Sequence, residues 1–290
     1  MNQFEGKTAI ISGGGEGIGL SIAKALGQQK MNIVLADIDK KNLAAASNEL
    51  EQLGVPVLAV ELDVAEESQW QEVAKRAVER FGKVHMVVNN AGVIGETGPI
   101  EKQKADAWLW SLNVNLMGVV YGVKTVAPLI KEHGEGGWII NVASMAGMGG
   151  TPFGGAYTAT KMAVVGLSEG WAGELKQDGI AVSVLCPAFV QTRIHESDRN
   201  RPLNIQSQTS EPSNDDRKNK KKKSVEGGIE VSVIGERVLE ALKLEEFYIF
   251  THPNYREVIQ GRSKSIDEAF ERAAKSPLLQ HIVNQPLDML

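Results

Sequence analysis

Cysteine is almost missing from this chain: Cys186 stands alone among 290 residues. One thiol closes no intramolecular disulfide, so a core rather than crosslinks must hold the fold, and a reducing compartment is expected. Cys186 itself reads as a small buried residue on a core strand. The five histidines, His85, His133, His195, His252 and His281, show no ligand spacing, so no zinc site is expected. No apolar run of about 18 residues offers a membrane span, and no secretory pattern is visible; a cytoplasmic protein is expected. Positive charge is not in excess either. With 31 Lys and Arg against 36 Asp and Glu the net charge is −5, which argues against a nucleic-acid surface. The 42% hydrophobic and 23% charged content is that of a soluble globule. No repeat or linker sets off a second domain, so 1–290 is expected to be one α/β domain.

The stretch from Ile140 to Lys161 organises the rest. An apolar run, Trp138 to Val142, has the character of a buried parallel strand, and Ser144 follows at its carboxyl end. A Gly-rich turn leads to a helix opening near Tyr157. Tyr157 and Lys161 are four apart and share a face of that helix. A phenol beside an ammonium is an acid/base arrangement, and the positive charge is expected to lower the tyrosine pKa from about 10. A surface Tyr–Lys pair with a capping serine is the plain alternative.

Upstream, a short strand, Lys7 to Ser12, runs into Gly13-Gly14-Gly15-Glu16-Gly17-Ile18-Gly19 and then an amphipathic helix to about Lys30. Strand, glycine loop and helix make a phosphate-binding unit. Gly13 permits the tight turn, Gly17 admits backbone to a pyrophosphate, Gly19 allows close packing, and the helix N-terminus faces the anion. A second strand, Asn32 to Ala36, ends at Asp37. An acid there accepts from the adenosine ribose hydroxyls and repels a 2′-phosphate; with Ile38 and Asp39 following, no arginine neutralises it. NAD is therefore expected over NADP. Asp39 is a candidate helix cap. Further elements are expected at Lys40–Leu53 (helix), Val55–Leu62 (strand), Glu66–Phe81 (helix), Val84–Val88 (strand), Ala105–His133 (one long helix) and Ala181–Cys186 (strand). A helix at Val231–Leu244, a strand at Tyr248–Thr251 and a helix at about Tyr255–Lys275 complete the pattern. Together they predict a doubly wound parallel sheet of about seven strands, helices on both faces, cofactor across the strand carboxyl ends.

Gly13-x3-Gly17-x-Gly19, Asn89-Asn90-Ala91-Gly92, Ser144 and Tyr157-x3-Lys161 together resemble the short-chain dehydrogenase/reductase family along nearly the whole chain. The resemblance implies a single Rossmann-type domain and NAD(P)-linked alcohol/ketone chemistry. Tyr157 would be the general acid/base, with Ser144 orienting the oxygen and Lys161 stabilising the phenolate and holding the nicotinamide ribose. Asn115 would complete the set, its carbonyl holding a relay water; Asn113 is the competitor. The same resemblance implies that Asp63 and Val64 meet the adenine and that Asn90, Ala91 and Gly92 face the cofactor. Glu16, Ile18, Ile38, Pro187, Val190 and Thr192 join that cofactor set, Val190 and Thr192 at the nicotinamide carboxamide. Ser12 stands where Thr is usual, and Ala188 where Gly is usual, so a bend needing positive φ would be stiffened there. The family places a substrate lid at about 193–228; its basic run, Arg217 to Lys223, reads as a solvated loop more readily than as an anion trap. A homotetramer or homodimer acting on a small molecule is the family's habit. The Tyr248–Pro253 segment loosely resembles a subgroup acting on bulky or aryl-substituted secondary alcohols. A non-catalytic NAD sensor and an epimerase or dehydratase relative are the other readings.

Overall fold

In the computed structural model, residues 2–202 and 222–286 are described. The polypeptide forms two compact units, Met1–Thr251 and His252–Leu290. The first alternates strand and helix: β1 (Thr8–Ser12), α1 (Gly17–Gln28), β2 (Asn32–Asp37), α2 (Lys40–Gln52), β3 (Val57–Glu61), α3 (Glu67–Phe81) and β4 (Met86–Asn89). It continues with α4 (Ala105–Leu112), α5 (Gly118–His133), β5 (Gly137–Val142), α6 (Gly155–Glu174), β6 (Ile180–Cys186), α7 (Val231–Lys243) and β7 (Tyr248–Phe250). The second unit holds α8 (Arg256–Ala274).

The sheet is the expected one. All pairs are parallel and the seven strands run β3-β2-β1-β4-β5-β6-β7, so the order reverses between β1 and β4. Strand residues alternate between two cores. Ala9, Ile11, Ile33 and Leu35 pack with Ile22 and Leu26 of α1, Leu43 and Leu50 of α2, and Ile234 and Val238 of α7. Ile10, Val34 and Val87 pack the other way, with Trp70 and Val73 of α3 and Val123, Val126 and Ile130 of α5. Burial on both faces is why these strands read as continuous apolar runs rather than as alternating ones. The expected single helix over 105–133 is instead two α-helices joined by a π-helical turn, Asn113–Met117. The expected third strand is shorter, because Val55 leads into Pro56 before pairing starts at Val57.

At the amino ends of the strands the fold brings together His85, His133 and Glu135, which sequence spacing does not reveal. Their hydrogen bonds are already assigned. His85 accepts the Thr8 amide at Nδ1 (3.2 Å), leaving Nε2 to donate to Glu135 (3.0 Å). His133 Nε2 donates to the Val84 carbonyl (2.9 Å), and Lys83 pairs with Glu135.

Burial pushes the His85 pKa down. A doubly protonated ring has no lone pair for Thr8, so the folded state prefers the neutral form. The unfolded ring titrates at about 6.5, and the contribution is intact above that value and declines as pH falls below it toward the folded pKa. Melting temperature is expected to drop on acidification from pH 7 to pH 5 more steeply in wild type than in His85→Asn, which keeps an acceptor but does not titrate.

Candidate active site

The glycine loop lies where the strand order reverses. Gly13 and Gly17 sit in the left-handed region, at φ +61° and +57°. A Cβ on Gly19 would lie 2.2 Å from the Gly13 carbonyl, so the helix can approach the turn only without a side chain there. Ser12 Oγ accepts the amides of Asn90 (3.0 Å) and Ala91 (3.2 Å) and donates to the Val88 carbonyl (3.3 Å). Asn90 Nδ2 returns two bonds, to the carbonyls of Ser12 (3.0 Å) and Gly13 (2.9 Å). Asn89 bonds Asn141 (2.9 Å), which bonds Ser168 (2.9 Å), joining β4, β5 and α6. Asn90 Nδ2 is thus committed to shaping the loop. Glu16, at the cap position of α1, makes no side-chain capping bond. Its carboxylate pairs instead with Arg193 (3.3 Å) and Arg199 and accepts from Asn42 (3.2 Å). An uncapped helix N-terminus beside backbone that excludes side chains fits a dinucleotide's pyrophosphate.

Asp37 ends β2 beside the glycine loop. Its two oxygens accept the amides of Gly15 and Asp39, both at 2.9 Å, fastening β2 to the loop. Burial raises its pKa, and those backbone bonds oppose the rise. Ile38 beside it is exposed. Asp39 caps α2 through the amides of Lys41 and Asn42, as its sequence position predicts. Asp63 is not the cap of α3; its Oδ1 takes the Ala65 amide (3.0 Å) in a turn after β3, and buried Val64 offers its carbonyl to Trp70 (3.2 Å). Across the loop, Thr192 lies so close that a Cβ on Gly17 would be 3.3 Å from its methyl. Pro187 accepts from Ser144 Oγ (3.4 Å), and Val190 is buried and bridges Ile229. Ala188 does not occupy the left-handed region, so the expected conflict with alanine at this bend does not arise.

Ser144 is at the carboxyl end of β5, and α6 opens two residues before Tyr157. Tyr157 and Ser144 converge: the serine hydroxyl comes near enough to the phenol to favour its ionised form. Lys161 is buried and donates to the Val142 carbonyl (2.7 Å), with Nζ 5.8 Å from the Tyr157 ring centre. Asn115, carried inward by the π turn, accepts the Val93 amide (2.8 Å) and donates to the Val93 carbonyl (2.8 Å) and Thr160 (3.3 Å). A Cβ on Gly92 would lie 3.4 Å from Asn115 Oδ1 and 3.5 Å from Lys161 Nζ, so three distant segments converge on one glycine. Asn113 is not buried in the turn; Asn115 is.

One electrostatic expectation is corrected. Tyr157 is not lowered by Lys161. Burial raises it, with the Ser144 hydrogen bond pulling the other way, while burial brings Lys161 down to about 8. Desolvation is the leading cause for both groups, and at this separation neither shifts the other. Thr160, Asn141, Arg193 and Arg199 were not found from sequence; only the buried position of Thr160 beside Lys161 on α6 offered a signal. Of the lid region, 203–221 and with it most of the basic run lie outside the described residues. Its first part, Ile194–Asn200, is a 3₁₀ segment whose Ser197 takes the Ile94 amide (3.1 Å).

The family model for short chain dehydrogenases matches residues 7–202. The chain is 33% identical over 276 residues to a "CLA biosynthesis dehydrogenase/reductase" of Lactiplantibacillus plantarum, covering 92% of this chain and 95% of that one. It is 30% identical over 277 residues to a "C alpha-dehydrogenase" of Sphingobium sp., covering 96% and 90%. A solved short chain dehydrogenase/reductase from Burkholderia phymatum, in complex with NAD, superposes with a TM-score of 0.88 at 34% identity over 100% of both chains. The fold and the site define a Rossmann-type oxidoreductase. The chain belongs to the short-chain dehydrogenase/reductase family.

Two substitutions test the site. Tyr157→Phe keeps the ring but cannot move a proton, and turnover is expected to fall by about 10²–10⁴-fold with NAD affinity nearly unchanged. Lys161 carries a different signature. Below pH 8 its charge is held buried at full cost; between about 8 and 10.5 the folded protein releases the proton before the unfolded chain does, and the cost fades. The melting temperature of Lys161→Met relative to wild type should therefore decline across that window, as followed by calorimetry.

Proposed function

We propose that the protein interconverts a secondary alcohol and its ketone with NAD, in the cytoplasm, as a homotetramer or homodimer, with 1–290 serving that one activity. The convergence of Ser144, Tyr157, Lys161 and Asn115 beside Gly92, at the carboxyl ends of β4 and β5, carries the reading. Gly13, Gly17, Ile18 and Gly19 hold the pyrophosphate, Asp37 and Ile38 the adenosine ribose, and Asp63 and Val64 the adenine. Ala91, Gly92, Pro187, Val190, Thr192 and Lys161 hold the nicotinamide end. NAD, when bound, supplies the hydride acceptor or donor. The protein's own residues handle the proton. In oxidation the Tyr157 phenolate takes it from the substrate hydroxyl while Ser144 Oγ holds the oxygen. Lys161 holds the nicotinamide ribose, and a water on the Asn115 main-chain carbonyl links Lys161 to solvent, the side chain being committed to Val93.

The substrate is proposed to be uncharged and bulky. Phe153, four residues before Tyr157, and Phe189, two after Pro187, are half-exposed apolar rings on the segments that frame the site. Phe153 is held at φ +63°, a strained setting for a bulky residue. Segment 193–228 is proposed to cover the substrate. Screening ketones and secondary alcohols while following NADH absorbance tests the activity; no turnover with any of them, despite NAD binding, would refute it.

Cofactor choice rests on Asp37. Replacing Asp37 by Ser and Ile38 by Arg removes a carboxylate that repels a 2′-phosphate and supplies a cation that pairs with it. The ratio of kcat/KM for NAD over NADP is expected to fall by at least tenfold. Wild-type protein that already prefers NADP would overturn the assignment.

A further inference from the structure

The second compact unit poses a problem that the active site does not solve. Its main element, α8, is 19 residues long and buries none of its side chains. An isolated helix of that length, with Gly261 and two serines inside it, is marginal in water. Yet α8 carries a stripe suited to packing. Ile259, Ile266, Phe270 and Ala273 follow at spacings of seven, four and three, on one face of the helix. Phe270 is 73% exposed, Val258 on the flank 65% and Ile266 43%. Arg262 interrupts the stripe, and its aliphatic stem is compatible with an apolar seam.

The charges say what lies on that stripe. Residues 256–264 contain Arg256, Arg262 and Lys264 against Glu257, a net +2; residues 266–274 contain Asp267, Glu268 and Glu271 against Arg272, a net −2. A parallel copy would lay like charge on like. A reversed copy lays the basic half on the acidic half twice over, which is the self-complementarity of a two-fold contact. Arg256 and Glu271, fifteen residues apart, lie on the same flank of the stripe and face each other only across a reversed pair. An anionic lipid surface would favour a uniformly basic polar face, and the acidic half of α8 opposes it.

We propose that α8 pairs antiparallel with α8 of a second copy of this chain, about a two-fold axis passing between Lys264 and Ser265. This pairing stands or falls independently of the catalytic reading. Double electron–electron resonance on the full chain, nitroxide-labelled at Ser263→Cys or at Lys275→Cys, tests it; buried Cys186 stays unlabelled. Labels at 263 lie beside the axis and are expected within about 20 Å of each other, whereas labels at 275 are expected about 30 Å apart or more. Short distances at both positions would mean a parallel pair and overturn the proposal, as would no short distance at 263. Sedimentation supplies the second arm. Arg256→Glu and Glu271→Arg should each shift association to several-fold higher concentration, and an equimolar mixture of the two should restore it by reforming opposite-charge pairs. Unchanged association in both singles overturns the proposal. So does capture by phosphatidylglycerol vesicles of a chain that shows no coupling at 263, in which case the stripe serves lipid.

Discussion

One hydroxyl and one amide hold the site together. Ser12 Oγ and Asn90 Nδ2 cross between the ends of β1 and β4, where the sheet reverses its strand order, and together satisfy two main-chain amides and three carbonyls. At such a reversal the neighbouring helices leave toward opposite faces, and a crevice opens over the strand ends. The open backbone there must be satisfied without filling the crevice. Ser12 and Asn90 do this from below, which leaves the upper side of the glycine turn clear for a diphosphate. The hydroxyl is what matters at position 12, so serine serves where threonine is usual.

The catalytic side obeys a different constraint. Lys161 is buried with one main-chain carbonyl as its partner, an arrangement unfavourable for folding on its own account. Tyr157 is pushed toward the neutral phenol by the same burial. A protonated phenol and a reluctant ammonium are what a site needs if its proton affinity is to respond to what binds there, since new hydrogen bonds to the ionised forms would shift both groups. The tetrad is a set of poised groups rather than a pre-formed ion pair.

Much of this was legible beforehand, for identifiable reasons. Strands buried on both faces leave apolar runs, and glycines forced by close approach leave a fixed spacing, so β1, β2, β5 and β6 and the loop at Gly13–Gly19 could be located within a residue or two. Ser144, Tyr157 and Lys161 were visible because a strand end and a helical repeat of four bring them together. The Tyr157–Lys161 electrostatics were misjudged, since spacing on a helix reports proximity and says nothing of desolvation. Arg193 and Arg199 on Glu16 are contacts across more than 170 residues, which no local pattern encodes. Asp63 closes the turn after β3 and does not cap α3, a choice that depends on backbone angles that composition does not set.

The π turn at Asn113–Met117 is a phase correction. α4 buries Ala107, Trp110 and Ser111, and α5 buries Val119, Val123, Val126 and Ile130. Extrapolated at 100° per residue, the two stripes point about 135° apart, so one inserted residue, worth about 100° of rotation, removes most of the mismatch. The turn absorbs a residue, so α4 can pack on α6 while α5 packs on α3 and β4, and the slack it introduces turns Asn115 inward. Excising any one residue from 113–117 would regularise the helix and yet unpack half of it. Adding a second would swing α5 out of phase the other way. The segment's length is thus quantised by the two helices it joins, while its composition is constrained by Val114 and Leu116, which pack against the cores, and by the asparagine that the extra residue delivers to the site.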